Sequence, residues 1–301
     1  MMKRLYAFAC CALFCWSSHV SALPIQTSVT GSVGYRYELL SNRIATYRTD
    51  DSLSMIDDLT LKDIGIYQTN IQGNLFVGKC LQFSVLGGYS DILGGRYSEK
   101  VVQFDAVETV ATIKGGYGRD FSIIGTYNYP ICDNFTLGPS IGFFYSDLKT
   151  WITQVKEDGN STPELEGVNY KNLWRGAKAG LFAQGFLHAY YFSVDYYFYV
   201  PVWRASWRLH GHDIPGDVFS DRREANHGYG HSFTINANRR CAKSFVLGTG
   251  FTYRYLHAYN GQSQPQAGSF SDVGLSSIVE DRVIGVNWHT LEAVLYLDYC
   301  F

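Results

Sequence analysis

Four cysteines spread along the chain are the residues with the most distinctive chemistry. Three of the seven cysteines lie within the first fifteen residues, and the remaining four are Cys80, Cys132, Cys241 and Cys300. Thiols can bind metals or form disulfides, but no Cys-x-x-Cys spacing occurs, which argues against a zinc site. We therefore expect no metal and no cofactor. Disulfide chemistry is the functional alternative, and it needs an oxidising compartment. Small thiols that fill gaps near turns are the other interpretation.

The first residues indicate that the chain reaches such a compartment. Lys3 and Arg4 precede an apolar run that ends near Trp16, and the small residues Ser21 and Ala22 follow. This order is typical of a secretory signal peptide over residues 1–22, with the mature domain at 23–301. Removal of the two basic residues leaves 23 basic and 27 acidic residues, a net charge of −4. An acidic surface argues against a nucleic-acid partner.

Alternation of apolar and polar residues dominates the mature chain. No apolar run is long enough for a membrane-spanning helix after residue 22, whereas the composition includes 23 Tyr and 30 Gly. Period-two alternation predicts ten strands. They are predicted at residues 28–39, 70–78, 81–90, 121–129, 135–146, 174–185, 191–200, 230–238, 244–255 and 289–301.

The connections between these strands alternate between short turns and long polar segments, as in an up-and-down antiparallel meander. A soluble barrel or sandwich would keep its apolar face inside. Here the polar face carries charged residues in mid-strand, and burying them in a dry interior would be costly. We therefore predict an all-β, transmembrane, antiparallel β-barrel of ten strands, with the apolar face toward lipid. A further hairpin within residues 101–113 would raise the count to twelve.

Seven charged residues on the polar face are expected to point into the lumen. A network of salt bridges and hydrogen bonds that plugs a narrow barrel is favoured over an ion path. The seven are Arg36, Glu38, Lys178, Asp195, Arg254, Glu292 and Asp298.

The C-terminal residues predict where the protein is targeted and how the barrel is oriented in the membrane. Tyr299 and Phe301 lie on the lipid side of the last strand, and the pattern resembles the C-terminal targeting signal of bacterial outer-membrane barrels. Both termini and the short turns are then periplasmic, and the long segments face outside. All four cysteines fall on the periplasmic rim, where we expect disulfides, more often to neighbouring proteins than within the rim, because a bridge tolerates only about 7 Å between Cα atoms.

Strand order, chain length and two segments resemble the omptin family of outer-membrane proteases. The segments are "SVLGGYSDILGGRYSE" at residues 84–99 and "VNWHTLEAVLYLDYCF" at residues 286–301. The resemblance implies a peptidase in which an Asp-His pair and an Asp-Asp pair on opposing walls of an outer cleft activate water.

The catalytic pattern of omptins is only half present. In "KVVQFDAVE" the resemblance implies a role for Asp105, but Gln103 takes its partner's place and Glu108 lies further on. In "RLHGHDIPGD" His212 corresponds to the base, but His210 replaces its carboxylate and Asp213 follows instead. A histidine base needs a carboxylate to set its tautomer. Asp105, Glu108, His212 and Asp213 are therefore the catalytic candidates if the peptidase survives.

Cysteine placement is similar to that of the Protochlamydia outer membrane protein family, for which porin-like barrels and disulfide-linked envelopes are expected. We therefore predict a surface or porin-like envelope protein, with an omptin-type endopeptidase as the alternative. The expected partners are outer-membrane lipid or lipopolysaccharide, the barrel-assembly machinery and other envelope proteins joined through disulfides.

Overall fold

The fold is described from a computed structural model. It covers residues 25–48, 53–78, 80–102, 107–157, 159–161, 168–210, 218–265 and 278–301. The predicted signal peptide, residues 1–22, lies outside these residues. Within the described ranges, no helix is long and apolar enough to cross a membrane.

Thirteen strands make up nearly all of the described chain. They are β1 (Ile25–Arg48), β2 (Leu53–Val77), β3 (Leu81–Val102), β4 (Val107–Tyr127), β5 (Tyr129–Cys132), β6 (Phe135–Glu157), β7 (Asn160–Ser161), β8 (Val168–Leu187), β9 (Tyr190–His210), β10 (Val218–Ala225), β11 (His227–Arg240), β12 (Phe245–Pro265) and β13 (Ile278–Cys300).

Antiparallel pairing closes the long strands into a ring. Each of β1, β2, β3, β4, β6, β8, β9, β11 and β12 pairs with the next long strand, and β13 pairs with β12 and β1. Short strands β5 and β7 pair with β6, and β10 pairs with β9 and β12. Closure removes the unpaired edges that lipid could not satisfy. The predicted up-and-down antiparallel barrel is thus confirmed.

The two ends of the barrel differ in their connections. One end, here called the short-turn rim, holds the turn residues 78 and 80, the turns at residues 133–134, 188–189 and 241–244, the start of β1 and the end of β13. The opposite end, here called the hairpin end, holds the far ends of the long strands and all of β10. Residues 101–102 and 107–113 continue β3 and β4 to this end, so in the described residues they add no separate hairpin to the ring.

The outer wall carries an apolar belt beside the short-turn rim. Its side chains come from alternate positions of the ring strands, and many are strongly exposed, including Ile71, Ile141 and Leu295. Toward the hairpin end the belt is bordered by tyrosine and histidine rings, such as Tyr255 and His289 with centroids 4.8 Å apart. Amphipathic rings at this level are typical of a membrane interface.

The strands extend much further toward the hairpin end than the alternation predicts. Segments 41–60 and 91–119, interpreted from the sequence as long connections, are mostly strand. That boundary prediction was wrong because bulges shift the period. Register shifts occur at Asp63 and Gln154, whose φ angles are 56° and 54°, and along β2 the buried positions change from odd to even numbers across Asp63. A bulge adds one residue and so turns the following side chains to the other face.

The interior has two zones that the sequence did not separate. Near the short-turn rim, alternate strand positions supply serine, threonine, asparagine and glutamine. Toward the hairpin end the interior is a packed apolar core that includes Leu40, Leu61, Ile64, Ile66, Tyr170, Trp174, Trp203 and Trp288. A polar interior was therefore the right prediction for only one half of the barrel.

Candidate functional site

Three sites combine reactive or charged side chains: the short-turn rim, the lumen and the hairpin end. At the rim, Cys80 lies in the turn after β2, Cys132 ends β5, Cys241 begins the turn after β11, and Cys300 ends β13. All four are free thiols, with Cys132 and Cys241 exposed and the other two half-buried. The strand assignment thus brings the four to one rim, and it shows no disulfide among them.

Backbone hydrogen bonds hold these thiols in place. The Cys300 amide donates to the Ser244 carbonyl over 2.9 Å, and the Cys241 amide donates to the Phe245 carbonyl over 3.0 Å. On the other side of the rim, the Asn128 amide donates to the Cys80 carbonyl over 2.6 Å. Of these three thiols only that of Cys241 is exposed, so its fixed backbone presents the sulfur to a reactant outside the barrel.

The chain end lies against the same rim. Phe301 is 74% exposed, and its amide donates to the Thr27 carbonyl over 3.0 Å. Its ring meets that of Tyr299 edge-on at 4.8 Å between centroids. Both rings face outward, as the alternation predicts, and their targeting role stays a prediction.

A buried charged layer crosses the lumen between the polar and apolar zones. Arg36 Nε lies 2.9 Å from Glu38 Oε1, and an Arg36 terminal nitrogen lies 2.6 Å from Asp120 Oδ2. Ser146 Oγ donates to Asp120 Oδ1 over 2.6 Å. Arg36 and Glu38 are only 2% and 0% exposed, so in this layer, here called the sealing layer, both side chains are kept out of water. Asp120 was missed because the predicted strand starts one residue later.

The apolar core lies directly beyond the sealing layer. The rings of Trp174 and Trp288 stack at 5.7 Å, and Trp203 lies 6.4 Å from Trp174. The Trp203 indole donates to Asn172 Oδ1 over 2.6 Å. A close-packed interior of this kind leaves few voids larger than a water molecule.

On the other side of the sealing layer the lumen opens into a cavity of about 420 Å³. Five of the seven predicted lumen residues line it, namely Lys178, Asp195, Arg254, Glu292 and Asp298. Arg36 and Glu38 contribute instead to the sealing layer. The other lining groups are largely neutral amides and hydroxyls, for example Asn74, whose amide donates to Ser28 Oγ over 3.0 Å.

The four catalytic candidates are not brought together by the described residues. Asp105, His212 and Asp213 lie outside them, and Glu108 is an exposed residue on β4 in register with Lys100 of β3. No group of three or more potential metal ligands occurs in the part of the chain that the structure describes. The peptidase alternative stays a prediction.

An acidic cluster at the hairpin end was not predicted. Asp57 of β2 lies 3.6 Å from a terminal nitrogen of Arg223 of β10, and the Tyr97 hydroxyl donates to Glu99 over 2.5 Å. Burial, and then the charge of Glu99, raise the pKa of Asp57 to about 8. The signal was hidden because the bulge at Asp63 reverses the face on which Asp57 lies. The contact joins opposite walls of the barrel at its hairpin end.

Comparison with solved structures gives matches at low sequence identity. The outer membrane protease OmpT from Escherichia coli is similar with a TM-score of 0.72 and 12% identity, over 93% of this chain and 99% of that chain. The translocator domain of the autotransporter NalP from Neisseria meningitidis gives a TM-score of 0.37 and 8% identity, over 99% and 96%. At these identities the likeness to OmpT shows the fold alone, and the NalP match supports no further argument.

No curated protein sequence matches the chain significantly. The model of one protein family, described as Protochlamydia outer membrane protein, matches residues 30–301. This match spans all the ring strands except the first residues of β1, and it agrees with an outer-membrane location. The chain belongs to the Protochlamydia outer membrane protein family.

Proposed function

We propose that this barrel is a structural envelope protein whose short-turn rim faces the periplasm and whose rim thiols form disulfides with neighbouring envelope proteins. Orientation is inferred from the two ends of the described chain, since β1 starts and β13 ends at this rim. The expected signal peptide and the terminal aromatic read by the barrel-assembly machinery support the same orientation.

The observation that carries the proposal is the location of four free thiols on one rim. Cys132 and Cys241 are exposed, and ring strands separate the β5 hairpin from the turn after β11 on either side. A bridge between residues so placed around a barrel is disfavoured, because disulfides require Cα atoms within about 7 Å. A thiol on a second protein meets no such restriction.

The reaction is ordinary thiol–disulfide exchange. One rim thiolate attacks a disulfide carried by a periplasmic oxidoreductase, and a thiolate of the partner then displaces the carrier. Two thiols lose two protons and two electrons, and the carrier is reduced to its dithiol. Each step needs an accessible sulfur, which Cys132 and Cys241 provide.

We further infer that the lumen does not conduct ions. The protein would then resemble a porin in its barrel architecture and not in transport. The sealing layer and the buried cluster of Trp174, Trp203 and Trp288 support this inference. Outside the barrel, the apolar belt and its ring of tyrosines are suited to outer-membrane lipid or lipopolysaccharide. Discrete conductance steps of the purified barrel in planar bilayers would contradict a closed lumen.

Non-reducing electrophoresis of cell envelopes tests the cross-linking. We expect higher-mass bands that thiol reagent converts to monomer, and loss of most of these bands in Cys132→Ser/Cys241→Ser. The matched control is Cys80→Ser/Cys300→Ser, which removes the two half-buried thiols and should retain most of the bands. A single monomer band in the unmodified protein, unchanged by reductant, would exclude the proposal.

A further inference from the structure

The cavity between the sealing layer and the short-turn rim contains a buried ammonium group that forms no ion pair within the described residues. Lys178 of β8 is only 8% exposed, and it lines the cavity. Its ammonium lies 4.7 Å from the centroid of the Tyr197 ring. Among the described residues it makes no hydrogen bond and has no carboxylate at ion-pair distance. Because a buried charge is costly unless it is paired, the ammonium is available for an anion inside the cavity.

A second cation faces the same space. Arg254 of β12 also lines the cavity, and its guanidinium carbon lies 5.9 Å from the Trp288 ring. Arg254 Nε is buried and has no hydrogen-bond partner. No ion pair involves Arg254 within the described ranges. Lys178 and Arg254 are therefore two cations, each over an aromatic ring, at the closed end of one cavity.

Carboxylates lie on the rim side of these cations. Tyr199 is the register partner of Lys178. Asp195 lies on the same strand as Tyr199, four residues closer to the short-turn rim. Glu292 pairs with Thr252, two residues closer to the rim than Arg254. Thr234 pairs with both Asp195 and Thr252, which aligns the two carboxylates along one row of the barrel. Positive charge at the closed end and negative charge nearer the opening give the cavity a fixed polarity.

Two further charged residues near this arrangement have hydrogen-bond or ion-pair partners of their own, although Arg36 is also the register partner of Glu292. Arg36 already contacts Glu38 and Asp120 in the sealing layer. Asp298 lies closest to the rim and accepts a hydrogen bond from Thr30 over 2.9 Å. Between these levels, the walls are hydroxyls and amides that can bond to a polar solute. The volume of about 420 Å³ lies within the usual range of about 300–1,000 Å³ for small-molecule sites.

We propose that this cavity binds a small zwitterion, an amino acid or a dipeptide, that enters from the short-turn rim. Its carboxylate is held by Lys178 and Arg254, and its ammonium faces Asp195 and Glu292. A free dianion such as phosphate would satisfy the cations but would also meet the two carboxylates. A neutral sugar would leave both buried cations unpaired. The periplasmic source of the ligand rests on the proposed orientation, but the binding site does not.

Isothermal titration of the full-length, detergent-refolded and reduced barrel with glycylglycine tests the site. We expect saturable binding, and a loss of affinity of about tenfold or more in Lys178→Met, because a charge-assisted contact contributes about 1.5–3 kcal/mol. Lys243→Met, in the exposed turn at residues 241–244, is the matched control and should bind as the unmodified protein does. Arg254→Met provides a second variant, and heat-modifiable migration in electrophoresis verifies that each variant is folded.

Three results would overturn the proposal: no saturable heat with glycylglycine, equal affinity for inorganic phosphate or glucose, or unchanged affinity in both folded cavity variants. The outcome is independent of cross-linking, because both ends of the barrel are accessible in detergent and the thiols are reduced. A barrel that binds glycylglycine but forms no disulfides would disprove the envelope proposal alone, and the reverse result would disprove only this site.

Discussion

The two halves of this barrel solve the problem of filling a lumen in opposite ways. Near the short-turn rim the interior is polar, with hydroxyls and amides around a cavity of about 420 Å³. Near the hairpin end it is as apolar as the core of a soluble domain, with Leu61, Trp174 and Trp288 almost fully buried. The outer wall shows the opposite distribution, because the apolar belt surrounds the half whose interior is polar. Each half therefore keeps one apolar face, and only the side on which it lies differs.

This difference teaches that the ends of the barrel have separate roles. Removing apolar area from water stabilises folded proteins by about 25 cal/mol per Å², and lipid already covers that area in the belt. Beyond the belt the wall meets water, so the strands can be stabilised by an interior core. The half within the belt is thus free to keep a polar cavity, which is where the unpaired cations lie.

The largest expected effect is at the boundary between the two halves. Arg36→Met leaves the buried carboxylates of Glu38 and Asp120 without their cation, and breaking a buried pair in this way costs about 3–5 kcal/mol. Urea unfolding of the refolded barrel in detergent measures this loss. Arg239→Met, which removes an exposed arginine at the end of β11, should change stability by less than about 0.5 kcal/mol. Equal losses in the two variants would mean that the sealing layer has no special role.

A matched pair on β2 compares the halves directly. Leu61→Ala opens a void in the apolar core and should destabilise the barrel by about 2–5 kcal/mol. Asn74→Ala removes hydrogen bonds to Ser28 and Ser84, but water in the cavity can replace them, so the cost should be about 1 kcal/mol or less. The same urea titration measures both. If Asn74→Ala is as damaging as Leu61→Ala, the cavity is not hydrated.

Sequence reasoning recovered one half of the molecule much better than the other. Alternation identified all ten ring strands within the belt, because lipid outside and water inside impose a strict period of two. It also oriented Lys178, Asp195, Arg254, Glu292 and Asp298 toward the cavity. These assignments depend only on whether a residue has an odd or an even position along its strand, and an uninterrupted strand keeps that alternation.

Beyond the belt the same method failed for a physical reason. Bulges at Asp63 and Gln154 each reverse the parity, so the sequence pattern of the following polar residues resembles that of a connection. Asp57, Tyr97 and Arg223 come together from strands that are distant in sequence, and no spacing could predict that contact. The sequence likewise could not predict that Lys178 forms no ion pair, because the distance between two charged side chains depends on how the strands pair.

The most local expected effect tests whether the hairpin end is as firmly closed as the core below it. Asp57 has its pKa raised to about 8, by burial and then by Glu99, while Arg223 opposes the shift. An acid whose pKa is higher in the folded state than in the unfolded state favours folding when it is protonated. Its contribution is therefore complete below the unfolded value near pH 4, and it declines as the pH rises toward about 8.

Local opening of the strand ends should follow that decline. After correction for intrinsic exchange rates, amide hydrogen exchange near Asp57 and Glu99 should increase by about tenfold or more between pH 5 and 8, since the pKa of Asp57 is raised by several units and each unit corresponds to a factor of ten. Exchange near Leu61, within the apolar core, should change much less. Asp57→Asn should abolish the pH dependence while preserving the shape of the side chain. If exchange at the hairpin end is independent of pH, or if its dependence persists in Asp57→Asn, then another group controls the opening, and the cluster of Asp57, Glu99 and Arg223 does not hold the two walls together.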